Sequence, residues 1–309
     1  MKWRTELRPC PICGSSQTRL LGARGGRAHH AGKGVLTSVV RCRECHGVYQ
    51  QPTLVPEFNP YEDHSAAEYF QSHEAQRKIT SGEALAAFAE SYLGRPGRML
   101  EIGCGRGELL RGAANRKWAV KGVEMTPAFA EFARGEHGIE VECAPAEKAK
   151  SLAEPHDVIL LAAILEHLYT PVETLLRVRR SLQPGGLIFL DVPNECSLMA
   201  RLGNAYMRVR GRDWAVNLSP SFSPYHVVGF CPTSLRHLLK ATGFQPVALE
   251  VHRWNSMLPR RSGLLAACEH VGLDVALSVG HWLGMGAGIT CWATTAAMNQ
   301  SSVGGTDIG

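Results

Sequence analysis

From residue 98 to residue 192, short apolar runs alternate with stretches of helical spacing, a pattern of strand, helix, strand, helix. Residues 99–102 make a brief apolar strand that ends in glycines, and 108–116 the helix after it. A second strand is expected over 118–124, a helix over 127–137 with Pro127 in its first turn, and a third strand over 140–143. Residues 157–162 are apolar without interruption, which suits a strand buried on both faces. A helix over 172–182 is stopped by Pro184-Gly185-Gly186, and a fifth strand follows over 187–192. Such alternation predicts an α/β domain built on a doubly wound, mostly parallel sheet. Upstream, 66–70 and 81–93 carry helical spacing. Downstream of Pro193 the pattern is less regular, with a helix expected over 232–242, late strands over 247–251 and 289–295, and a disordered polar tail over 298–309.

Composition narrows the class. The chain has 309 residues, 45% hydrophobic and 20% charged, enough for a sizeable core. Its net charge of +5 is unevenly placed: residues 1–50 hold nine Lys or Arg against two Glu, a net of +7, which leaves −2 for the rest. A basic N-terminal unit suits an anionic partner, and equally a solvated surface. Residues 1–10 are polar and basic, without the apolar core of a signal peptide, and a reducing cytoplasm is the expected compartment. Residues 263–289 are apolar but contain Glu269, His270, Asp274 and His281, so a core helix and loop is expected there, not a transmembrane span.

Cys10-Pro-Ile-Cys13 and Cys42-Arg-Glu-Cys45 are two Cys-x-x-Cys pairs separated by 28 residues. Two such knuckles match a closed tetrahedral site, so a structural zinc on Cys10, Cys13, Cys42 and Cys45 is expected within a zinc-ribbon-like module over 1–55. A unit this small buries little apolar surface, so the metal would supply folding energy. A redox dithiol needs only one pair and does not account for the second. His46 follows Cys45, but four thiolates already fill the shell.

The segment after the first α/β strand reads Glu101-x-Gly103-x-Gly105-x-Gly107 and opens a helix. Glycines there allow a tight turn and a close backbone approach to a ligand. The dinucleotide fingerprint Gly-x-Gly-x-x-Gly fails, because Glu108 and Leu110 stand where its third glycine would fall. Gly122-Val-Glu124 ends the second strand, and in a Rossmann-like sheet its carboxylate lies beside the glycine turn, able to accept from both ribose hydroxyls of an adenosine.

With these motifs, residues 98–195 resemble the core of class I S-adenosylmethionine methyltransferases; Leu182-Gln-Pro-Gly-Gly-Leu187 is similar to a segment common in that family. The resemblance implies a Rossmann-like sheet and an S-adenosylmethionine pocket on Gly103, Gly105, Gly107 and Glu124. It places Ala146 and Glu147 near the adenine and Glu101 near the methionine amino group. Read along the chain, the division expected is a zinc module over 1–55, a helical connector over 56–97 and a methyltransferase domain over 98–297, whose residues 196–288 would shape the acceptor pocket.

At the reacting end two groups stand out. Glu166-His167 follows the fourth strand, and His167 is either a general base or a packing residue at a helix start. Ser223-Pro-Tyr-His226 precedes Phe230; there His226 offers a second base and Tyr225 a donor to a developing oxyanion, or the loop is merely structural. Ubiquinone-pathway O-methyltransferases carry a similar Glu-His, with a further Glu three residues earlier at a divalent metal; here that position is Ala163, and no catalytic metal is expected. Deoxysugar C-methyltransferases join a zinc unit to such a core but carry Tyr-His-Glu-His at this loop, where this chain has Ser223 and Tyr225 at the Tyr and Glu positions. The expected activity is O-methylation of a small molecule: a sugar, a glycan precursor or a secondary metabolite. Deoxysugar C-methylation, RNA methylation through the basic module, and a binding protein with a degenerate core are the alternatives. The RNA reading lacks interleaved aromatics, since Trp3 and Tyr49 are the only Phe, Tyr or Trp among residues 1–50.

Overall fold

The computed structural model describes residues 2–58, 75–253 and 275–295. Its centre is a seven-stranded sheet. The strands are β6 (Arg98–Ile102), β7 (Ala119–Glu124), β8 (Glu140–Cys143), β9 (His156–Ala162), β10 (Leu182–Pro193), β12 (Phe244–His252) and β13 (Gly288–Thr295). Their order is β12-β13-β10-β9-β6-β7-β8, and β13 runs antiparallel to both neighbours while the other pairings are parallel. From β6 the chain winds outward to β7 and β8, then returns to β9 on the other side. The sheet therefore reverses direction between β6 and β9, and the crevice beyond their carboxyl ends is where open α/β sheets bind ligands.

The helices follow from the same patterning. They are α1 (Ala75–Leu93), α2 (Glu108–Asn115), α3 (Pro127–His137), α4 (Pro171–Ser181), α5 (Leu198–Val209) and α6 (Pro232–Ala241), with Pro first in α3, α4 and α6. β9 buries its first six residues completely, as its unbroken apolar run requires. At its start Asp157 accepts from the Arg98 amide and from the Arg95 guanidinium, both at 2.8 Å, which fixes the entry to β6. α1 and α2 meet through glycines: a Cβ on Gly82 would lie 2.1 Å from the Leu109 carbonyl oxygen, and one on Gly112 would lie 2.1 Å from that of Ile79. Alanine at an exposed helical glycine gains about 1 kcal/mol. Here it meets rigid backbone, so Gly82→Ala is expected to destabilise by roughly 1–3 kcal/mol instead, read as a thermal midpoint lower by several degrees.

The N-terminal unit consists of β1 (Trp3–Glu6), β2 (Thr18–Arg24), β3 (Thr37–Cys42), β4 (Val48–Gln51) and β5 (Thr53–Pro56). β1 pairs with β5, and β2, β3 and β4 form an antiparallel sheet whose far edge is β11 (Val228–Gly229). The unit thus shares a sheet with the segment that follows His226, and is not a bead on a string.

Three expectations need adjustment. β10 begins at Leu182, because Leu182 pairs with His156 before Pro184-Gly185-Gly186 interrupts the register. α5 occupies a stretch read as irregular, although Leu198, Leu202, Tyr206 and Val209 stand at helical spacing; Leu202, Tyr206 and Val209 are exposed. Of the expected core helix and loop over 263–289, residues 263–274 lie outside the described residues. Residues 275–282 are helical, but they bury Leu277 while exposing Val275, Val279 and Trp282. The 66–70 helix and the 298–309 tail also lie outside. No helix among the described residues is long and apolar enough to cross a membrane.

Candidate active site and metal centre

β6 delivers the chain into a turn in which Gly103, Gly105 and Gly107 all have positive φ, at 71°, 53° and 80°. The amides of Gly103 and Cys104 both donate to the Val123 carbonyl, at 2.7 and 3.0 Å, tying the turn to β7. A Cβ on Gly103 would lie 2.0 Å from Ile164 Cδ1, whereas one on Gly105 would meet nothing within 4 Å. Gly103 therefore serves packing, and Gly105 faces open space at the sheet's reversal point. Glu124, at the end of β7, is 7% exposed; its two oxygens accept from the Gly105 amide at 2.9 Å and the Thr126 amide at 2.7 Å. The carboxylate is held at the lip of the turn, and each oxygen keeps a lone pair for a further donor.

Glu101 is buried beneath the same turn, and its Oε2 has no hydrogen-bond partner. Burial pushes its carboxyl well above the usual range; Lys78 opposes this, and Glu108 and Glu124 add to it. A cationic group arriving there would restore the charged form. Arg106 and Glu108 make a buried ion pair at 2.7 Å, with the guanidinium over the Phe132 ring. Ala146 and Glu147 lie in a 3₁₀ turn (Ala146–Lys148) after β8; Arg177 of α4 donates to the carbonyls of Ala146, Glu147 and Ala149, which pins that turn beside the sheet edge.

Ala163 has φ +55°, and Ile164 then reaches back to Gly103, so the 3₁₀ turn Leu165–His167 stands directly beside the glycine turn. His226 arrives from a separate loop. The rings of His167 and His226 meet edge to face at 4.9 Å. Reciprocal contacts with Ser219 hold the His226 backbone, and the Val227 amide donates to the Glu166 carbonyl at 2.8 Å. Burial pushes His167 down to about 4, against a hydrogen bond to the Tyr225 backbone. Burial, and then His167, push His226 down to about 3. Both imidazoles are thus neutral at physiological pH. Tyr225 meets His167 through its backbone, at φ +65°. The sequence named both histidines but not Glu166 as a site residue. Glu166 is 1% exposed, neither carboxylate oxygen has a hydrogen-bond partner, and Oε1 is 3.9 Å from His226 Nε2. Burial raises its carboxyl to about 8.

The four N-terminal cysteines converge: Cys10 and Cys45 sulfurs are 3.5 Å apart, as are those of Cys13 and Cys42, and all four lie within 4.8 Å of one another. A tetrahedron with metal–sulfur distances of about 2.3 Å has edges near 3.8 Å, so the cluster fits zinc. Two knuckle turns hold it, closed by Gly14 N to Cys10 O and Cys42 N to Gly47 O, both at 2.8 Å. His46 is exposed, outside the thiol shell. Between this unit and the core lies a cavity of about 280 Å³ lined by Arg8, Tyr49, Tyr169, Glu173 and Val227 among others.

A doubly wound sheet with one antiparallel strand, a glycine turn and an acid at the next strand's end define a class I S-adenosylmethionine-dependent methyltransferase. Residues 71–249, more than half of the chain, match the family model described as a methyltransferase domain, and the chain belongs to that family. It is 27% identical over 159 residues to the ubiquinone biosynthesis O-methyltransferase of Burkholderia thailandensis, covering 50% of this chain and 66% of that protein. The chain spans 66% or less of the length of this and similar ubiquinone biosynthesis O-methyltransferases, down to 47% of that of Caulobacter vibrioides. Among solved structures, the CcbJ methyltransferase from Streptomyces caelestis superposes with a TM-score of 0.51 at 16% identity, covering 77% of this chain and 99% of that one. A plantazolicin methyltransferase in complex with a monoazolic desmethylPZN analog and SAH gives 0.50 at 16% identity, covering 74% and 88%. These two likenesses are of fold.

Proposed function

We propose that this chain transfers the methyl group of S-adenosylmethionine to a hydroxyl of a small molecule: a sugar, a glycan precursor or a secondary metabolite. The observation that carries the reading is the meeting of His167 and His226 beside the glycine turn, one from the end of β9 and the other from the acceptor-side loop. In this reading the Gly103–Gly107 turn and Glu124 hold the adenosine, Ala146 and Glu147 flank the adenine, and buried Glu101 faces the cationic methionine end. Bound S-adenosylmethionine supplies an electrophilic methyl group on a positively charged sulfur. The chain must align an acceptor oxygen with it, exclude water and take up one proton. A neutral His167 or His226 takes that proton, and the Tyr225 backbone fixes the His167 ring. Ubiquinone biosynthesis O-methyltransferases among the relatives support oxygen as the acceptor atom. Zn²⁺ on Cys10, Cys13, Cys42 and Cys45 is structural, because four thiolates leave no open position.

Incubation with methyl-labelled S-adenosylmethionine and fractionated cell extract tests the reading. Label is expected in the small-molecule filtrate as a base-stable methyl ether, and label confined to RNA would overturn it. With the acceptor so found, His167→Ala or His226→Ala is expected to lower kcat about 100-fold, with cofactor affinity retained. Full turnover in both variants would remove the histidines from the chemistry.

A further inference from the structure

Among the described cysteines outside the metal cluster, Cys196 and Cys231 are the two whose thiols hydrogen-bond to each other. Backbone pairing brings them together: Asn194 bridges Phe230 in parallel, and the Glu195 amide donates to the Phe230 carbonyl at 2.8 Å. Paired strands lie about 4.8 Å apart, inside the roughly 4.4–6.8 Å between Cα atoms that a disulfide spans. We propose that Cys196 and Cys231 form a redox-active dithiol, which hydrogen peroxide oxidises to a disulfide and a cellular dithiol reduces again. Disulfides of reducing compartments are mostly of this transient kind.

The two sulfurs are unequal. Cys231 is the N-cap of α6: its Sγ accepts from the Ser234 amide at 3.5 Å, and Ser234 Oγ accepts from the Cys231 amide at 2.8 Å. A helix N-terminus favours the thiolate, the reactive form of cysteine. The Cys196 thiol, and then Ser234 and Thr233, hold the Cys231 thiol below its ordinary range, against burial. Cys231 is therefore the sulfur that attacks, and half-buried Cys196 the one that resolves. The Cys231 thiolate attacks one peroxide oxygen, the O–O bond breaks, and a sulfenic acid forms as hydroxide leaves. The Cys196 sulfur then displaces the sulfenic hydroxyl, which departs as water with the Cys196 proton. Two thiols and one peroxide give one disulfide and two waters. With one sulfur buried and the other half-buried, the pair suits an oxidant of water's size. The linkage would fasten the exit of β10 to the start of α6, on the segment that runs on from His226 through β11. The Cys231 sulfur also reaches the His46 carbonyl at 3.9 Å. Oxidation thus acts at the seam between the N-terminal unit and the acceptor-side loop, and it draws on neither histidine of the proposed chemistry.

Full-length, zinc-loaded protein is treated with a small excess of hydrogen peroxide, alkylated after unfolding, digested and analysed by mass spectrometry, with metal content measured in parallel. A peptide pair joined through Cys196 and Cys231 and lighter by two hydrogens is expected, with both thiols lost to alkylation, restored by dithiothreitol, and the zinc retained. Cys196→Ser removes the resolving sulfur, so dimedone is expected to capture Cys231 as its sulfenic acid. Cys231→Ser is expected to slow oxidation of Cys196 at least tenfold. Wild-type protein in which both thiols stay alkylatable while exposed Cys143 is oxidised overturns the proposal. So does a linkage of either sulfur to another cysteine, or one that forms only after the zinc has left. The readout is the thiols themselves, so it holds whichever acceptor is methylated.

Discussion

With zinc on the four-cysteine cluster, as proposed, Cys42→Ser is expected to lose that metal and, with it, catalysis at a site built from distant residues. A closed four-thiolate site contributes about 10–16 kcal/mol of apparent binding energy to the folding of small zinc units. Cys42 ends β3, and β3 pairs with β4, whose outer edge carries β11. The loop bearing His226 leads straight into β11. Further ties run the same way: Arg24 Nε donates to the Leu218 carbonyl at 3.0 Å, Ser221 Oγ bonds both the amide and the carbonyl of Val35 at 2.9 Å, and Tyr169 donates to the Leu54 carbonyl at 2.9 Å. Loss of the metal therefore withdraws the wall on which the acceptor-side loop rests. The thermal midpoint should fall by roughly 10 °C or more, turnover should be lost, and the cofactor pocket on β6 and β7 should still bind. Mass spectrometry for zinc, scanning calorimetry and cofactor titration read the three effects separately. A zinc-stripped protein with unchanged midpoint and turnover would reduce the cluster to a surface ornament.

That coupling marks where sequence reading stops. The central sheet is legible because short segments of strand length alternate with helical spacing: β9 is an unbroken apolar run, β6 runs into Gly103, β7 into the Pro127 helix start, and β10 ends at Pro193. Glu124 is legible because its place is fixed by local order: strand, glycine turn, helix, strand. β11 is two residues long, and its partner lies near residue 49, so no local pattern encodes it. The meeting of His167 with His226 is equally non-local; each is visible as a residue type, but their contact depends on how the loop after α5 is seated. Glu166 escapes notice for a different reason. A Glu beside a His at a helix start looks solvated, and only the packed structure reveals that its carboxylate is buried without a donor. α5 does carry apolar residues at helical spacing, Leu198, Leu202, Tyr206 and Val209, so that signal is present in the sequence; what the sequence does not show is that Leu202, Tyr206 and Val209 are left exposed.

Glu124→Ala is expected to weaken S-adenosylmethionine binding at least 100-fold. Hydrogen bonds to a charged acceptor contribute about 1.5–3 kcal/mol each, and two ribose hydroxyls would be lost together, about 3–6 kcal/mol, which exceeds the roughly 2.7 kcal/mol of a 100-fold change. The same carboxylate also holds the amides of Gly105 and Thr126, so part of the loss would come through a loosened turn. Gly105→Ala separates the two contributions. Its Cβ would meet no protein atom within 4 Å, so the fold loses only the cost of a left-handed backbone at φ +53°, about 1 kcal/mol. If the adenosyl group occupies the space in front of Gly105, the added methyl group must collide with it, and affinity should fall about tenfold beyond the small shift in midpoint. Gly103→Ala, which drives a Cβ to 2.0 Å from Ile164, should instead damage stability first. Calorimetric titration beside thermal melts distinguishes the two patterns. Undiminished affinity in both Glu124→Ala and Gly105→Ala would move the cofactor out of this crevice and leave the turn a purely structural element.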